Sequence, residues 1–75
     1  MQVDKTFMKN EVLQFGKKLR EIRLKMNKSQ GDIARILGVH RSYISGLERG
    51  RRNPSLITVH KVAKALGIST NELLK

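Results

Sequence analysis

The chain contains no cysteine, which excludes a disulfide framework, a thiolate zinc site and a thiol nucleophile. It also lacks any apolar run approaching the ~20 residues of a membrane-spanning helix, and its first residues lack the apolar stretch of a signal peptide. We therefore expect a cytoplasmic protein with no membrane partner. With 75 residues, the chain is long enough for one domain of a few packed helices but short for a deep substrate cavity.

Acidic residues are scarce as well. Six Asp and Glu stand against sixteen Lys and Arg, which leaves a formal net charge of +10. A surplus of this size favours a polyanionic partner, and the alternative is a soluble basic protein without such a partner.

The apolar pattern predicts an all-α fold with five helices, because no segment carries a strand signal. Residues 1–10 show no clear period and are expected to form a flexible arm. From Glu11 a stripe recurs at three- and four-residue steps, and its shortness favours a core-facing helix over a coiled coil. The stripe consists of Val12, Phe15, Leu19, Ile22 and Met26, after which Asn27 can end the helix in the left-handed conformation.

Capping residues and glycines separate the later helices. Ser29 is predicted to cap a second helix together with Asp32, in a short capping box, and Gly38 ends that helix. The remaining predicted elements are a third helix from His40 to Arg49 that ends at Gly50, a fourth from Leu56 to Leu66 between Ser55 and Gly67, and a last turn or two over NELLK.

The spacing from Gln30 to Arg49 is that of a helix-turn-helix, in which a few residues around Gly38 join two short helices. Ala34 is small where the second helix must approach the third, and Gly38 can take positive φ at the turn without a Cβ clash. The apolar positions expected to seal the pair against the core are Ile33, Leu37, Val39, Ile44 and Leu47.

The stretch SQGDIARILGVHRSYISGLERGRRNPS resembles the Cro/C1-type helix-turn-helix of phage repressors and their bacterial relatives. The resemblance extends over about residues 15–74, and its specific elements are Ser29-Gln30, Ala34, Gly38-Val39, Ile44-Ser45, Glu48-Arg49-Gly50 and Pro54. Within the family, HRSYISGLERGRRN is most similar to the small controller proteins of restriction–modification systems. Three departures from the family pattern, at Asn27, Lys28 and Gly31, lie away from the DNA-reading face and concern stability rather than function.

This resemblance implies a lambda-repressor-like DNA-binding domain over residues 11–75, with its helix-turn-helix at residues 30–49. It also implies a homodimeric transcription regulator that activates or represses its own gene and the endonuclease gene. The expected partners are double-stranded DNA and a second copy of the chain, with RNA polymerase as a further candidate. The alternatives are a phage-type repressor and the DNA-binding antitoxin of a toxin–antitoxin pair.

The exposed side of the third helix is basic and small-polar when Ile44 and Leu47 point inward. The first turn of such a recognition helix enters the major groove deepest. The fork of Arg41 suits guanine O6 and N7, and Ser42 can pair with several base edges or a phosphate. The predicted base-reading residues are His40, Arg41, Ser42 and Ser45, with a merely solvated Arg41 as the alternative.

Residues that flank this helix are predicted to hold the DNA backbone. They are Ser29, Gln30, Tyr43, Arg49, Arg51, Arg52 and Asn53. Gln30 begins the second helix, where a side-chain amide and free backbone N–H groups can hold a phosphate. The alternative for Gln30 is an ordinary helix-start glutamine, and the alternative for Tyr43 is packing at the domain edge. For Arg51, Arg52 and Asn53 the alternative is a merely solvated loop.

Glu48 lies on the predicted recognition helix and would repel phosphate unless it turned inward. The family pattern pairs this acid with an arginine of the first helix, and Arg23 is the matching position. The resemblance therefore implies a structural ion pair between Arg23 and Glu48, rather than a solvated pair or a catalytic acid.

The two histidines, His40 and His60, have no second ligand at metal spacing, and the sequence has neither a Ser/His/Asp arrangement nor a phosphate-cradling glycine loop. We therefore expect no enzyme, metal, cofactor or small-molecule substrate. A membrane-surface peptide would form one long helix, whereas Gly38, Gly50, Pro54 and Gly67 interrupt this chain.

Dimerisation is expected because one recognition helix contacts too few bases for useful selectivity, so two copies should bind a symmetric operator. The apolar residues left after the core is filled lie late in the chain. The predicted interface, on the fourth and fifth helices, consists of Leu56, Ile57, Ile68, Leu73 and Leu74.

Overall fold

The computed structural model describes residues 9–74, and within that range it is all-helical. The helices are α1 (Lys9–Lys25), α2 (Gln30–Leu37), α3 (Arg41–Glu48), α4 (Leu56–Leu66) and α5 (Thr70–Leu74). The predicted all-α fold with five helices is confirmed for this part of the chain. Residues 1–8 of the predicted arm lie outside the described residues.

Three boundaries differ from the sequence prediction. Helix α1 already includes Lys9 and Asn10, which were assigned to the arm because neither residue is apolar and the stripe could not be extended to them. Helix α3 is one residue shorter at each end, so that His40 is its N-cap and Arg49 its C-cap. The cap residues carry non-helical or frayed backbone, which periodicity does not distinguish from the helix itself.

Two apolar residues were wrongly placed in the core. Asn27 takes φ 56° and turns the chain away after α1, so Met26 leaves the stripe and is 39% exposed. Gly38 takes φ 71° and ends α2. The backbone N–H of the next residue, Val39, donates to the Ala34 carbonyl at 2.9 Å and so caps the helix end. The Val39 side chain is therefore 37% exposed.

The capping of α2 follows the sequence closely. The Ser29 hydroxyl accepts from the Asp32 backbone N–H at 2.9 Å, and the Asp32 carboxylate accepts from the Ser29 backbone N–H at 2.8 Å. This reciprocal box satisfies two N–H groups that the helix start leaves without partners. It fixes where α2 begins and therefore where Gln30 stands.

One apolar cluster joins the helices. Helix α2 packs on α3 and α4, and α1 packs on α3 and α5. The helix-turn-helix is thus held from behind by α1 and α4, with α5 packed on both of them, which leaves the outer side of α3 exposed. The buried cluster consists of Phe15, Leu19, Ile33, Ala34, Ile44, Leu47, Val59, Val62, Ala63, Leu66 and Leu73.

Candidate nucleic-acid interface

Helix α3 presents two different faces. Ile44 and Leu47 are fully buried against the core, as their spacing of three residues predicts for one side of a helix. Arg41 and Ser42, in the first turn, are exposed, and Ser45 is half-buried. The helix is therefore anchored by apolar side chains and offers its first turn to a partner.

A concave surface runs along this outer face and into the loop after α3. Serine and glycine form its small-residue part, and four arginines surround them. Among residues 9–74 no carboxylate lines it, so these residues offer a polyanion cations and hydroxyl groups. The residues of this surface, which we call the α3 concavity, are Arg41, Ser42, Ser45, Gly46, Arg49, Arg51 and Arg52.

A second concavity continues the basic surface towards the start of α1. Arg51, Arg52 and Asn53 line it on one side, and Lys9 lies on the other. The sequence did not indicate Lys9 as a candidate DNA contact, because residues 1–10 are predicted to form a flexible arm. The positive charge of Lys9 is the one signal that could have suggested such a contact. The two concavities share Arg51 and Arg52, and we call them together the basic strip. The strip extends beyond the recognition helix along a path suited to a phosphate backbone.

Arg52 and Tyr43 contact each other at the edge of this strip. The Arg52 guanidinium carbon lies 5.6 Å from the centre of the Tyr43 ring, within the range of a cation–π contact. The half-buried Tyr43 donates its hydroxyl to Thr58 of α4 at 3.4 Å. Gly46 makes room for the Arg52 stem, because a Cβ there would lie 2.7 Å from Arg52 Cγ.

Arg23 and Glu48 form the ion pair implied by the resemblance, with Arg23 Nε 2.6 Å from Glu48 Oε2 and Arg23 Nη2 3.0 Å from Oε1. Their side chains are only 8% and 2% exposed. The hydrogen bond to Glu48 raises the pKa of Arg23 above its usual value. Arg23 also donates to the Lys28 carbonyl at 2.9 Å, so the pair ties α1 and its following turn to α3. Glu48 therefore does not face the concavity.

Gln30 has partners on both sides. Its Nε2 donates to Glu48 Oε1 at 3.0 Å, and its Oε1 accepts from Arg41 Nη1 at 3.1 Å. The sequence indicated a phosphate contact for this glutamine but gave no sign of the link between the buried pair and Arg41. That link depends on how α2 crosses α3, which the spacing within either helix does not reveal.

The other predicted contact residues are distributed around the same surface. His40, Arg49 and Asn53 are exposed, and their contacts with DNA remain predictions. The Ser29 hydroxyl already accepts the capping hydrogen bond from Asp32, which leaves its own proton for a further acceptor.

The predicted dimer residues differ in exposure. Leu56, Ile57 and Leu74 are 55%, 67% and 39% exposed. Ile68 is half-buried against the core. Leu73 is 1% exposed and belongs to the core of its own chain, so its assignment to the interface is corrected. In α5 Leu73 faces the core, whereas Leu74, about 100° further around the helix, remains exposed.

Comparison with known proteins identifies the class. The profile of the helix-turn-helix family matches residues 19–73, and the chain belongs to this family. The control protein C.BamHI of Bacillus amyloliquefaciens is 51% identical over 63 residues, which are 83% of this chain and 78% of that protein. The described part of the chain has no helix that is both long and apolar enough to span a membrane.

Two solved structures show the same architecture. The restriction–modification controller protein C.AhdI from Aeromonas hydrophila matches with a TM-score of 0.81 and 44% identity, over 85% of this chain and 97% of that one. SinR, the master regulator for biofilm formation, solved in complex with DNA, matches with a TM-score of 0.75 and 32% identity, over 81% of this chain and 98% of that one. The chain is thus similar both to controller proteins and to a regulator seen on DNA.

Proposed function

We propose that this DNA-binding transcription regulator is a restriction–modification controller that acts as a homodimer on a symmetric operator. The observation that carries the proposal is the α3 concavity, where four arginines surround small polar residues on the exposed side of a helix-turn-helix. The similarity to the C.BamHI and C.AhdI proteins supports the controller assignment. A controller that activates its own gene acts on transcription, so RNA polymerase is the further partner that we propose.

Base reading is assigned to the first turn of α3. Arg41 and Ser42 are exposed there, and an arginine fork can meet guanine O6 and N7 together in the major groove. His40 and Ser45 stand on either side of them and complete the proposed reading set. The half-buried Ser45 and Gly46 add little bulk, which favours close approach of the helix to the base edges.

Backbone contacts are assigned to the flanks. Arg49, Arg51, Arg52 and Asn53 lie along the basic strip, where phosphates on either side of the groove would pass. Gln30 and Ser29 lie at the start of α2, whose free N–H groups favour an anion. Tyr43 contributes through Arg52, since its ring supports that guanidinium.

The dimer contact is assigned to an apolar patch on α4 and α5, formed by Leu56, Ile57 and Leu74 with the edge of Ile68. His60 of α4 bonds Thr70 of α5 at 3.0 Å, which brings the two helices side by side. Leu56 lies one turn before His60, and Leu74 lies one turn after Thr70. We infer that these exposed leucines, each one turn from the His60–Thr70 contact, contribute to one patch.

Selection of bound duplexes from a random pool tests the proposal. The expected product is an inverted repeat whose half-sites lie roughly 34–36 Å apart, or a multiple of that distance, as two symmetric recognition helices require. Enrichment of a single, non-repeated site would contradict the homodimer, and no enrichment at all would contradict sequence-specific binding.

A further inference from the structure

We propose that Glu48, a buried residue that does not face DNA, sets the base preference of α3 by fixing the Gln30 amide and, through it, the guanidinium of Arg41. Glu48 is then a positioning residue for base reading in addition to a partner of Arg23. The inference rests on the proposed function, in which Arg41 reads a base.

The chemistry of Glu48 determines which end of the Gln30 amide faces it. An ionised carboxylate can only accept hydrogen bonds, and Glu48 already accepts two from Arg23. The Gln30 group that lies 3.0 Å from Glu48 Oε1 must therefore be the NH₂ group. Because the oxygen of a planar amide lies on the other side of the same carbon, it points away from Glu48. There it meets Arg41 Nη1 at 3.1 Å.

The position of Glu48 is itself fixed. Its carboxylate is 2% exposed and is held by the fork of Arg23, which is anchored in turn on the Lys28 carbonyl. A series of hydrogen bonds thus runs from α1 through Glu48 and Gln30 to the first turn of α3. Each member of the series is set by the preceding one, and only Arg41 is exposed at the end.

For Arg41 the consequence is a restricted guanidinium. A solvated arginine samples many rotamers, and ordering it on a base opposes binding. One of its five N–H groups is occupied by Gln30 Oε1, which leaves enough donors for a two-pronged contact with guanine. A Gln30 amide turned the other way would present N–H groups to the guanidinium and drive it off. The series therefore favours one orientation of Arg41 and, with it, one base.

Gln30→Met tests the link while leaving both hydrogen bonds between Arg23 and Glu48 in place. Methionine has nearly the length of glutamine and no hydrogen-bonding amide, so the Arg23–Glu48 contact and the fold are retained. We expect the preference of the selected operator over the same duplex changed at the base pair read by Arg41 to fall about three- to tenfold, as loss of one hydrogen bond predicts. Gln14→Met, on the exposed side of α1, is the matched control and should leave that preference unchanged.

A double-mutant cycle separates positioning from a direct phosphate contact by Gln30. In an Arg41→Ala background, Gln30→Met should cause no further loss of preference, because the residue it positions is gone. Glu48→Gln should lower the preference in the same way, measured at a temperature where the variant is folded. Equal losses on operator and scrambled duplexes, in both backgrounds, would overturn the proposal and leave Gln30 as a backbone contact.

A measurement on the free protein tests the proposal without the operator. The guanidinium N–H signals of Arg41 in ¹⁵N spectra should show hindered rotation in the wild type and free rotation in Gln30→Met, with exposed Arg20 as the internal reference. Free rotation in the wild type would overturn the inference. If no duplex is enriched, the proposed function fails; if Arg41→Ala relaxes the preference and Gln30→Met does not, only the positioning role of Glu48 fails.

Discussion

Gly16 of α1 packs directly against the backbone of Glu48 at the end of α3, where a Cβ would lie 2.7 Å from the Glu48 carbonyl oxygen. The Leu47 carbonyl oxygen would lie closer still, and both atoms belong to the backbone and cannot rotate aside. The contact brings α1 close enough for Arg23, two turns further along, to reach the Glu48 carboxylate. The smallest residue of α1 thus makes room for the ion pair and for the hydrogen bonds that lead to Arg41.

Gly16→Ala should therefore destabilise the fold by about 1–3 kcal/mol, because a methyl group would force the two helices apart. Gly31→Ala is the control, since its Cβ would meet nothing closer than the Ser29 hydroxyl at 3.6 Å. There alanine should stabilise α2 by about 0.5–1 kcal/mol, through its higher helix propensity. Urea denaturation followed by circular dichroism measures both, and the same sign for the two variants would contradict the close approach.

Removal of Glu48 should affect the fold strongly. Glu48→Ala leaves Arg23 buried without its carboxylate and should lower the free energy of unfolding by about 2–4 kcal/mol. Arg23→Ala should have an effect of similar size, and the double variant should lose clearly less than the sum. Additive losses in this cycle would mean that the two side chains do not depend on each other in solution.

Acid should weaken the cap of α2 in a defined range of pH. The hydrogen bond from Arg35, followed by those from Ser29, lowers the pKa of the Asp32 carboxyl to about 2. This folded-state pKa lies below the ordinary value of about 3.9. The ionised carboxylate therefore stabilises the fold at pH values above about 3.9, and this stabilisation is lost as the pH falls through about 2.

The difference in melting temperature between wild type and Asp32→Asn should therefore be largest near neutral pH and shrink from about pH 4 downwards. Glu21→Gln, at an exposed carboxylate of α1, controls for general acid effects. A difference that stayed constant down to about pH 2 would show that the Asp32 charge does not support the cap.

The apolar patch of α4 and α5 can be separated from the core by a pair of variants. Ile57, 67% exposed, should tolerate lysine with little loss of stability, while the lysines would repel each other across the proposed dimer contact. Leu73→Ala should instead destabilise the monomer by about 2–5 kcal/mol, because the side chain is fully buried. Sedimentation velocity and thermal unfolding distinguish the two effects. An Ile57→Lys variant that dimerises like the wild type would place the interface elsewhere.

Several features followed from the sequence because they depend on neighbours along the chain. The stripe from Val12 to Leu19, the Ser29 cap and the Gly38 turn are local patterns with one favoured structure. The close approach at Gly16 and the Gln30 bridge depend on the angle at which helices cross. The inward side of Leu73 depends on which face of the five-residue α5 meets the core. In α5 the period is too short to distinguish Leu73 from Leu74. The Arg23–Glu48 pair was predicted because the family resemblance supplied a contact between residues 25 positions apart.

The account as a whole depends on Arg41 reading a base while the flanking arginines hold the backbone. The most direct test is titration of Arg41→Ala and Arg51→Ala against the selected operator and a scrambled duplex at several salt concentrations. Arg41→Ala should lose about 1–3 kcal/mol on the operator and much less on the scrambled duplex. Arg51→Ala should weaken both duplexes alike and reduce the log–log salt slope by about one unit. Equal losses on the two duplexes for Arg41→Ala would contradict the assignment of Arg41 as the residue that reads sequence.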